Sequence, residues 1–461
     1  MLNLPIAHAL GARQDLPLPE WLFIWGAAVV LVASFVGLAV LWSRPRLEQP
    51  RSRPIPRQVS DFLLSMPIRI GLGLFSVALL LLVFYSGLEG TEAVTRNFAV
   101  TFVFVTFWLG VPIFSVLFGN VFAAVNPWRA IALATAWGFR AVAGQPPPAP
   151  LSYPRRLGRW PAALGLCGFL YLELISGFTP HSLAVASLLY SAITFLGMSL
   201  FGIERWLERG ESFSVYFSMY GRLGAFAVER SGTRRRLVLR KPFTAVSGWA
   251  AGVPGSVALL VVAIGGTSFD GSREGLFRQP LGSLIDGLVN LGVSIDLAAK
   301  LGNTIFMLAV IGLVAAVFWL GLAGMRLEIK TQSLRELADL FAHAFIPIAF
   351  AYLLAHYFSL FTQQEQAQFS YLLSDPLGDG SDLFGTAGHE INYGVVGAAG
   401  IAYIQAGSIA FGHALGIALG HDKALALFRN TRRSINSQLF MLAAMIALST
   451  FALLLLFKAN G

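Results

Sequence analysis

The sequence predicts an all-α fold: a polytopic transmembrane helical bundle of about ten spans, with both termini on the outer side. Three observations predict it. Of 461 residues, 56% are hydrophobic and only 12% charged, with a mean hydropathy of +0.68. A soluble domain carries roughly 25% charged residues, so much of this surface must face lipid. Long apolar runs recur along the whole chain. Cationic residues collect in alternate loops, as the positive-inside rule requires.

The first apolar run, 21–42, ends at Arg44, Arg46, Arg51, Arg53 and Arg57. That basic segment belongs inside and places residues 1–19 outside. Residues 1–19 lack the basic start and continuous apolar core of a signal peptide, so the first run reads as a reverse-oriented anchor. The alternative is a chain numbered after an upstream signal. Further spans are expected at 68–86, 98–118, 162–178, 183–202, 253–266, 305–324, 345–361, 395–419 and 439–457. The expected inner loops hold Arg155, Arg156 and Arg159, then nine cations between Arg205 and Lys241, then Arg326, Lys330 and Arg335, then Lys423, Arg429, Arg432 and Arg433. The outer loops hold only Arg96, Arg273, Arg278 and Lys300, with no cation between Thr362 and Gly394. Merging or losing one span would invert this pattern downstream.

Between the spans, 119–161 carries Asn126-Pro127-Trp128-Arg129, an amphipathic stretch, and then a proline-rich run. It reads as an inner interfacial helix followed by a stiff linker. Segment 203–246 holds Tyr216, Phe217 and Tyr220 and then the basic run 234–241, which suits an inner hairpin touching anionic lipid. Segments 265–303 and 362–394, rich in Gly, Asp and Ser, are expected as outer loops. No internal repeat is evident, so 1–461 reads as one membrane domain.

The formal charge of +9 is explained by topology, not by nucleic acid. The single Cys167 cannot form an internal disulfide or a cysteine zinc site. No Walker A or His-Glu-x-x-His motif is present. The histidines are the informative residues: His8, His181, His343, His356, His389, His413 and His421. His343 and His356, thirteen apart on one expected helix, have the spacing of a two-haem site. His413 and His421 are only eight apart, so the facing helix does not match and haem is the weaker expectation. By depth, Asp339, His343 and His413 form an inner group, with Asp339 four residues before His343 on one helical face. Such a group could bind a divalent transition metal, copper or zinc, or relay protons. The structural alternative is an interhelical packing pair.

An outer group comprises His356, His389, Glu390 and His8, with Tyr357, Asp15, Asp375, Asp379 and Asp382 near it. Imidazoles with carboxylates suit zinc or copper. The alternative is a turn-rich cap in which Asp and Gly make turns. Glu173 interrupts the fourth span and Gln405 lies eight residues before His413; both are buried-polar candidates. Thr267, Ser268 and Asp270 are expected as a polar step at the outer end of the sixth span. Nothing in the spacing selects a serine nucleophile.

Five stretches carry a likeness: 7–23 (AHALGARQDLPLPEWLF), 265–270, 341–360 (FAHAFIPIAFAYLLAHYFSL), 374–386 (SDPLGDGSDLFGT) and 412–425 (GHALGIALGHDKAL). In content and order they resemble bacterial integral membrane proteins named fenitrothion hydrolases. The resemblance implies a multi-pass protein of the bacterial inner membrane that hydrolyses an organophosphate triester and releases a nitrophenol. It brings no catalytic assignment. Phosphotriesterases often hold paired metals on His and carboxylate ligands, which polarise the phosphoryl oxygen and activate water. A mature N-terminus at the position of His8 would make that residue a copper ligand through amine and imidazole together. Two other classes stay open beside the hydrolase. One is a redox or metal-handling subunit holding copper or haem. The other is a transporter or scaffold subunit of a larger membrane complex. The partners expected are lipid and other membrane subunits, not nucleic acid.

Overall fold

Apolar runs in lipid must pair every backbone polar group within the segment, so they form helices. The computed structural model describes residues 20–48, 51–145, 147, 150–232, 234–273, 275–428 and 431–460. A helix stands at each of the ten expected positions. The first three are α1 (Glu20–Leu41), α2 (Met66–Glu89) and α3 (Phe98–Phe118). The amphipathic α4 (Pro127–Ala143) is followed by α5 (Trp160–Leu174), α6 (Pro180–Phe201) and the short α7 (Ser212–Gly221). Then come α8 (Ser256–Arg273), α9 (Arg278–Asn290), α10 (Ile295–Glu328), α11 (Leu334–Phe341), α12 (Ile346–Gln368), α13 (Ala398–Leu427) and α14 (Thr431–Asn460). Among the described residues, seven helices are long and apolar enough to cross a membrane; α1 and α5 give shorter apolar stretches. The chain is thus a largely helical membrane bundle.

Three expectations are corrected. First, 265–303 is not a loop. α8 runs through it to Arg273, α9 follows, and α10 begins at Ile295. The polar residues that suggested a loop fold back on their own helix. Thr267 Oγ1 donates to the Ala263 carbonyl at 3.2 Å and Ser268 Oγ to that of Ile264 at 2.8 Å. This back-bonding lets hydroxyls be buried inside a helix. Second, 362–394 is only partly a loop, because α12 continues to Gln368 and a helical turn covers Tyr371–Ser374. Third, 203–246 is more than a hairpin. The strands β2 (Phe226–Ser231) and β3 (Arg234–Arg240) do form one, and β1 (Ser52–Pro54) joins it in the order β1-β3-β2, so the fold is not purely α. The aromatics before the hairpin do not touch lipid: Tyr216, Phe217 and Tyr220 are buried on α7. Trp108 stacks on Tyr216 at 4.9 Å, and Phe107 meets Phe213 and Phe217 edge-on. A short helix can be buried because its end is satisfied: Glu211 accepts the backbone N–H of Phe213 and Ser214 at 2.9 and 2.6 Å.

Two prolines set local geometry. Pro112 lacks the N–H that would bond the Trp108 carbonyl, and residues Phe102–Gly110 of α3 wind as a π-helix. Pro347 does the same to the His343 carbonyl, and Ala342–Phe345 is a 3-10 turn between α11 and α12.

Glycine lets α12 and α13 approach closely. A Cβ on Gly412 would lie 2.3 Å from Ala351 Cβ and 2.8 Å from the Pro347 carbonyl oxygen; on Gly416, 2.6 Å from the Ala344 oxygen. Four-residue spacing puts both on one face, the small-residue packing typical of helices in lipid. Gly412→Ala is expected to destabilise the protein by about 1–3 kcal/mol through overpacking. Gly407→Ala, with no atom within 4 Å of the new methyl, is the control. Thermal unfolding in detergent checks this, and equal midpoints for the two variants would refute it.

Candidate functional site: a buried acid–base cluster

The residues brought together are not the ones that share a depth. In the inner group, the 3-10 turn imposed by Pro347 interrupts the helix between Asp339 and His343, so their four-residue spacing does not put them on one face. Asp339 accepts the Gly252 N–H at 3.3 Å. His343 is buried and faces the backbone carbonyls of Leu340 and Leu419 without good hydrogen-bond geometry. His413 is buried on α13, donates from Nδ1 to the Ile409 carbonyl at 2.8 Å, and packs on the Tyr352 ring at 6.0 Å. Gln405 is buried on the same helix. Asp339, His343 and His413 thus have separate surroundings, and no hydrogen bond joins them among the described residues. The interruption at 342–345 also separates His343 from His356, so the two-haem spacing has no continuous helix beneath it.

The outer group separates too. His389 and Glu390 are exposed in the loop after Tyr371–Ser374, and His8 lies outside the described residues. Asp375 and Asp382 make turns. Asp375 accepts the N–H groups of Asp379 and Gly380 at 3.0 Å each. Asp382 accepts Ser374 Oγ at 2.6 Å and the N–H groups of Thr386 and Ala387 at 2.9 and 3.0 Å. The Ser374 hydroxyl, then the loop amides, hold the Asp382 carboxyl below its usual range. A folded-state value below the unfolded one means a stabilisation complete above the unfolded pKa and lost as pH falls through the folded one, below about pH 4. The protection factors of the Thr386 and Ala387 amides, which correct for the slower intrinsic exchange in acid, are therefore expected to fall between pH 6 and pH 3, and to be low at both in Asp382→Asn. Unchanged protection at pH 3 would refute it.

His356 finds its partner 86 residues upstream. Its Nε2–H donates to Asp270 Oδ2 at 2.9 Å, and the Tyr357 hydroxyl donates to the same oxygen at 2.8 Å. Arg273, one turn after Asp270 on α8, places Nη2 3.3 Å from Asp270 Oδ1 and donates from Nη1 to the Leu174 carbonyl at 2.5 Å. Asp270 is fully buried and Arg273 nearly so, whereas the His356 side chain is 17% exposed. The imidazole lies against α8 at Gly271, where a Cβ would stand 3.4 Å from His356 Nδ1, an ordinary contact distance.

Glu173 on α5 completes the neighbourhood. Its helix packs against both α7 and α8. Glu173 Oε2 is buried with no hydrogen-bond partner among the described residues. Tyr220 donates to Tyr216 at 3.1 Å. Ionisable groups thus stand on the adjoining helices α7, α5, α8 and α12.

Buried charge in a membrane interior is costly and persists where it is paired. Here a carboxylate, a guanidinium, an imidazole and a phenol satisfy one another. The sequence pointed to His356, Tyr357 and Glu173 but not to their meeting place. Arg273 was counted as a loop charge; the available signal was its three-residue spacing from Asp270 within a hydroxyl-rich run. Glu365, which accepts Thr106 Oγ1 at 3.1 Å from the π-segment of α3, is a further membrane carboxylate the sequence reading passed over.

Among the described residues, no three His, Cys, Asp or Glu side chains converge as a metal ion would need. His356 and Asp270 would supply one nitrogen and one carboxylate, and Asp270 is already engaged by Arg273 and Tyr357. This donor set does not fit a paired-metal centre. Comparison of the chain with family models, curated proteins and solved structures returns no match.

Proposed function

We propose that this chain is a ten-span protein of the bacterial inner membrane, with both termini outside, that hydrolyses an apolar phosphotriester reaching it from lipid. The observation that carries the reading is the His356–Asp270 pair at 2.9 Å. A carboxylate that accepts the Nε2–H sets the tautomer and leaves the Nδ1 lone pair as a base. His356 is the partly exposed member, and the proposed step requires that water reach it. In the proposed step, Nδ1 takes a proton from water as the oxygen attacks phosphorus, and a nitrophenolate leaves. Asp270 stabilises the resulting imidazolium, and Arg273 and Tyr357 hold Asp270 in place. The resemblance to fenitrothion hydrolases supports the choice of substrate class.

The test uses purified full-length protein in vesicles containing a nitrophenyl phosphotriester. Nitrophenol release is expected to exceed that of protein-free vesicles and to fall at least a hundredfold in His356→Ala. His389→Ala and Glu390→Ala are expected to retain full rate. No release by the unmodified protein would overturn the reading.

The ionisable groups on these adjoining helices favour a second reading, in which the cluster transfers protons within a larger membrane complex. Dye-reported proton flux across the same vesicles, lost in Glu173→Gln while nitrophenol release is absent, would select it.

A further inference from the structure

On the basic face of the bundle, a cleft of about 640 Å³ opens between residues 150–155 and 201–209. Its lining mixes apolar side chains, Pro150, Leu151, Phe201 and Ile203, with Tyr153, Arg155, Arg205 and Arg209. The charges do not balance within the protein. Glu204, the only carboxylate lining the cleft, faces Arg129 and Arg230. Arg205 pairs with Glu208 at 3.1 Å. Neither Arg155 nor Arg209 has a carboxylate within salt-bridge distance among the described residues, and Arg209 Nε is buried without an acceptor. More cations stand near Arg209. Burial, then the neighbouring guanidiniums of Arg222 and Arg209, bring Arg159 down to about 10. Arg209 is half-buried and Arg155 exposed; two guanidinium groups without a carboxylate partner on one cleft call for an anion with several acceptor oxygens, for which phosphate geometry is the best match.

The surroundings decide what carries that phosphate. Leu151, Trp160 and Leu200 stand exposed close by in sequence to the cleft walls, and the amphipathic α4 precedes it. A lining that mixes apolar side chains with unpaired guanidinium groups suits a molecule with both characters. We propose that this cleft binds the headgroup of an anionic phospholipid, its phosphate on Arg155 and Arg209 and its glycerol and first acyl carbons along Leu151 and Phe201. This differs from the general attraction of the β2–β3 hairpin to an anionic surface, because it is a single site with a defined stoichiometry.

The test is native mass spectrometry of the full chain released from phosphatidylcholine nanodiscs doped with phosphatidylglycerol. One phosphatidylglycerol is expected to stay bound at collision energies that strip phosphatidylcholine. Its retention is expected to fall about tenfold in Arg155→Gln/Arg209→Gln. The charge-matched Arg234→Gln/Arg236→Gln, on exposed positions of β3, is expected to retain it. Equal loss in both variants would reduce the effect to diffuse charge and overturn the site. Arg155→Gln alone, at an exposed position, guards against misfolding and is expected to give a smaller loss; full retention in it would count against the proposal. Displacement of the lipid by millimolar inorganic phosphate would overturn the lipid assignment in favour of a soluble phosphate ester.

Discussion

Replacing Asp270 by alanine is expected to destabilise the protein by about 3–5 kcal/mol, the usual cost of breaking a buried ion pair from one side. Two donors and an ion-pair partner converge on this carboxylate: His356 and Tyr357 donate to Oδ2, and the Arg273 guanidinium lies 3.3 Å from Oδ1. The substitution takes the anion away from a guanidinium that stays buried. Asp270→Asn is expected to cost less, since an amide oxygen can still accept from His356 or Tyr357. Thermal unfolding in detergent separates the variants; an Asp270→Ala midpoint equal to the parent would refute the assignment. On the proposed hydrolase reading, Asp270→Asn, by failing to stabilise the imidazolium, is expected to lower nitrophenol release while leaving the melting temperature close to the parent's.

Asp422→Ala is expected to release α1 from the bundle at a similar cost. Asp422 is fully buried near the end of α13 and accepts three hydrogen bonds from the chain just beyond α1. Trp42 Nε1 donates at 2.8 Å, and the backbone N–H groups of Arg46 and Leu47 at 2.6 and 2.7 Å. Charged hydrogen bonds of this kind contribute roughly 1.5–3 kcal/mol each, and the two amides lose their acceptor outright. Neighbouring contacts add to the clamp: His421 Nε2 meets the Trp42 carbonyl at 3.1 Å and Lys423 pairs with Glu48 at 2.6 Å. Limited trypsin digestion should cut after Arg46 much faster in Asp422→Ala than in the parent protein. Equal digestion would show that packing of α1 against α13 and α14 holds it unaided. Lys423→Met is expected to have a smaller effect, because that pair is partly exposed and screened.

The helices were legible because lipid leaves the backbone no other option, so runs such as 68–86 and 98–118 had to be helical wherever else they packed. The amphipathic 127–143 was legible from its pattern. The basic hairpin was legible in part: strands at 226–231 and 234–240 formed, while the aromatics before them turned inward because Glu211 caps their helix. Segment 265–273 misled because Thr, Ser, Gly and Asp together look like a loop. Their hydroxyls bond their own helix, and Asp270 has partners on α12 that no local window contains. His343 misled in the opposite sense: an unbroken helix was inferred across Pro347, which interrupts it.

What the sequence determined by itself is where the long apolar helices lie. That follows from the cost of exposing backbone to lipid, which acts residue by residue. What only the tertiary structure decided is which polar side chains meet. Asp270 and His356 are 86 positions apart, Arg46 and Asp422 376. A buried charge must find a partner, but the sequence does not say which one, because that choice depends on how the helices pack.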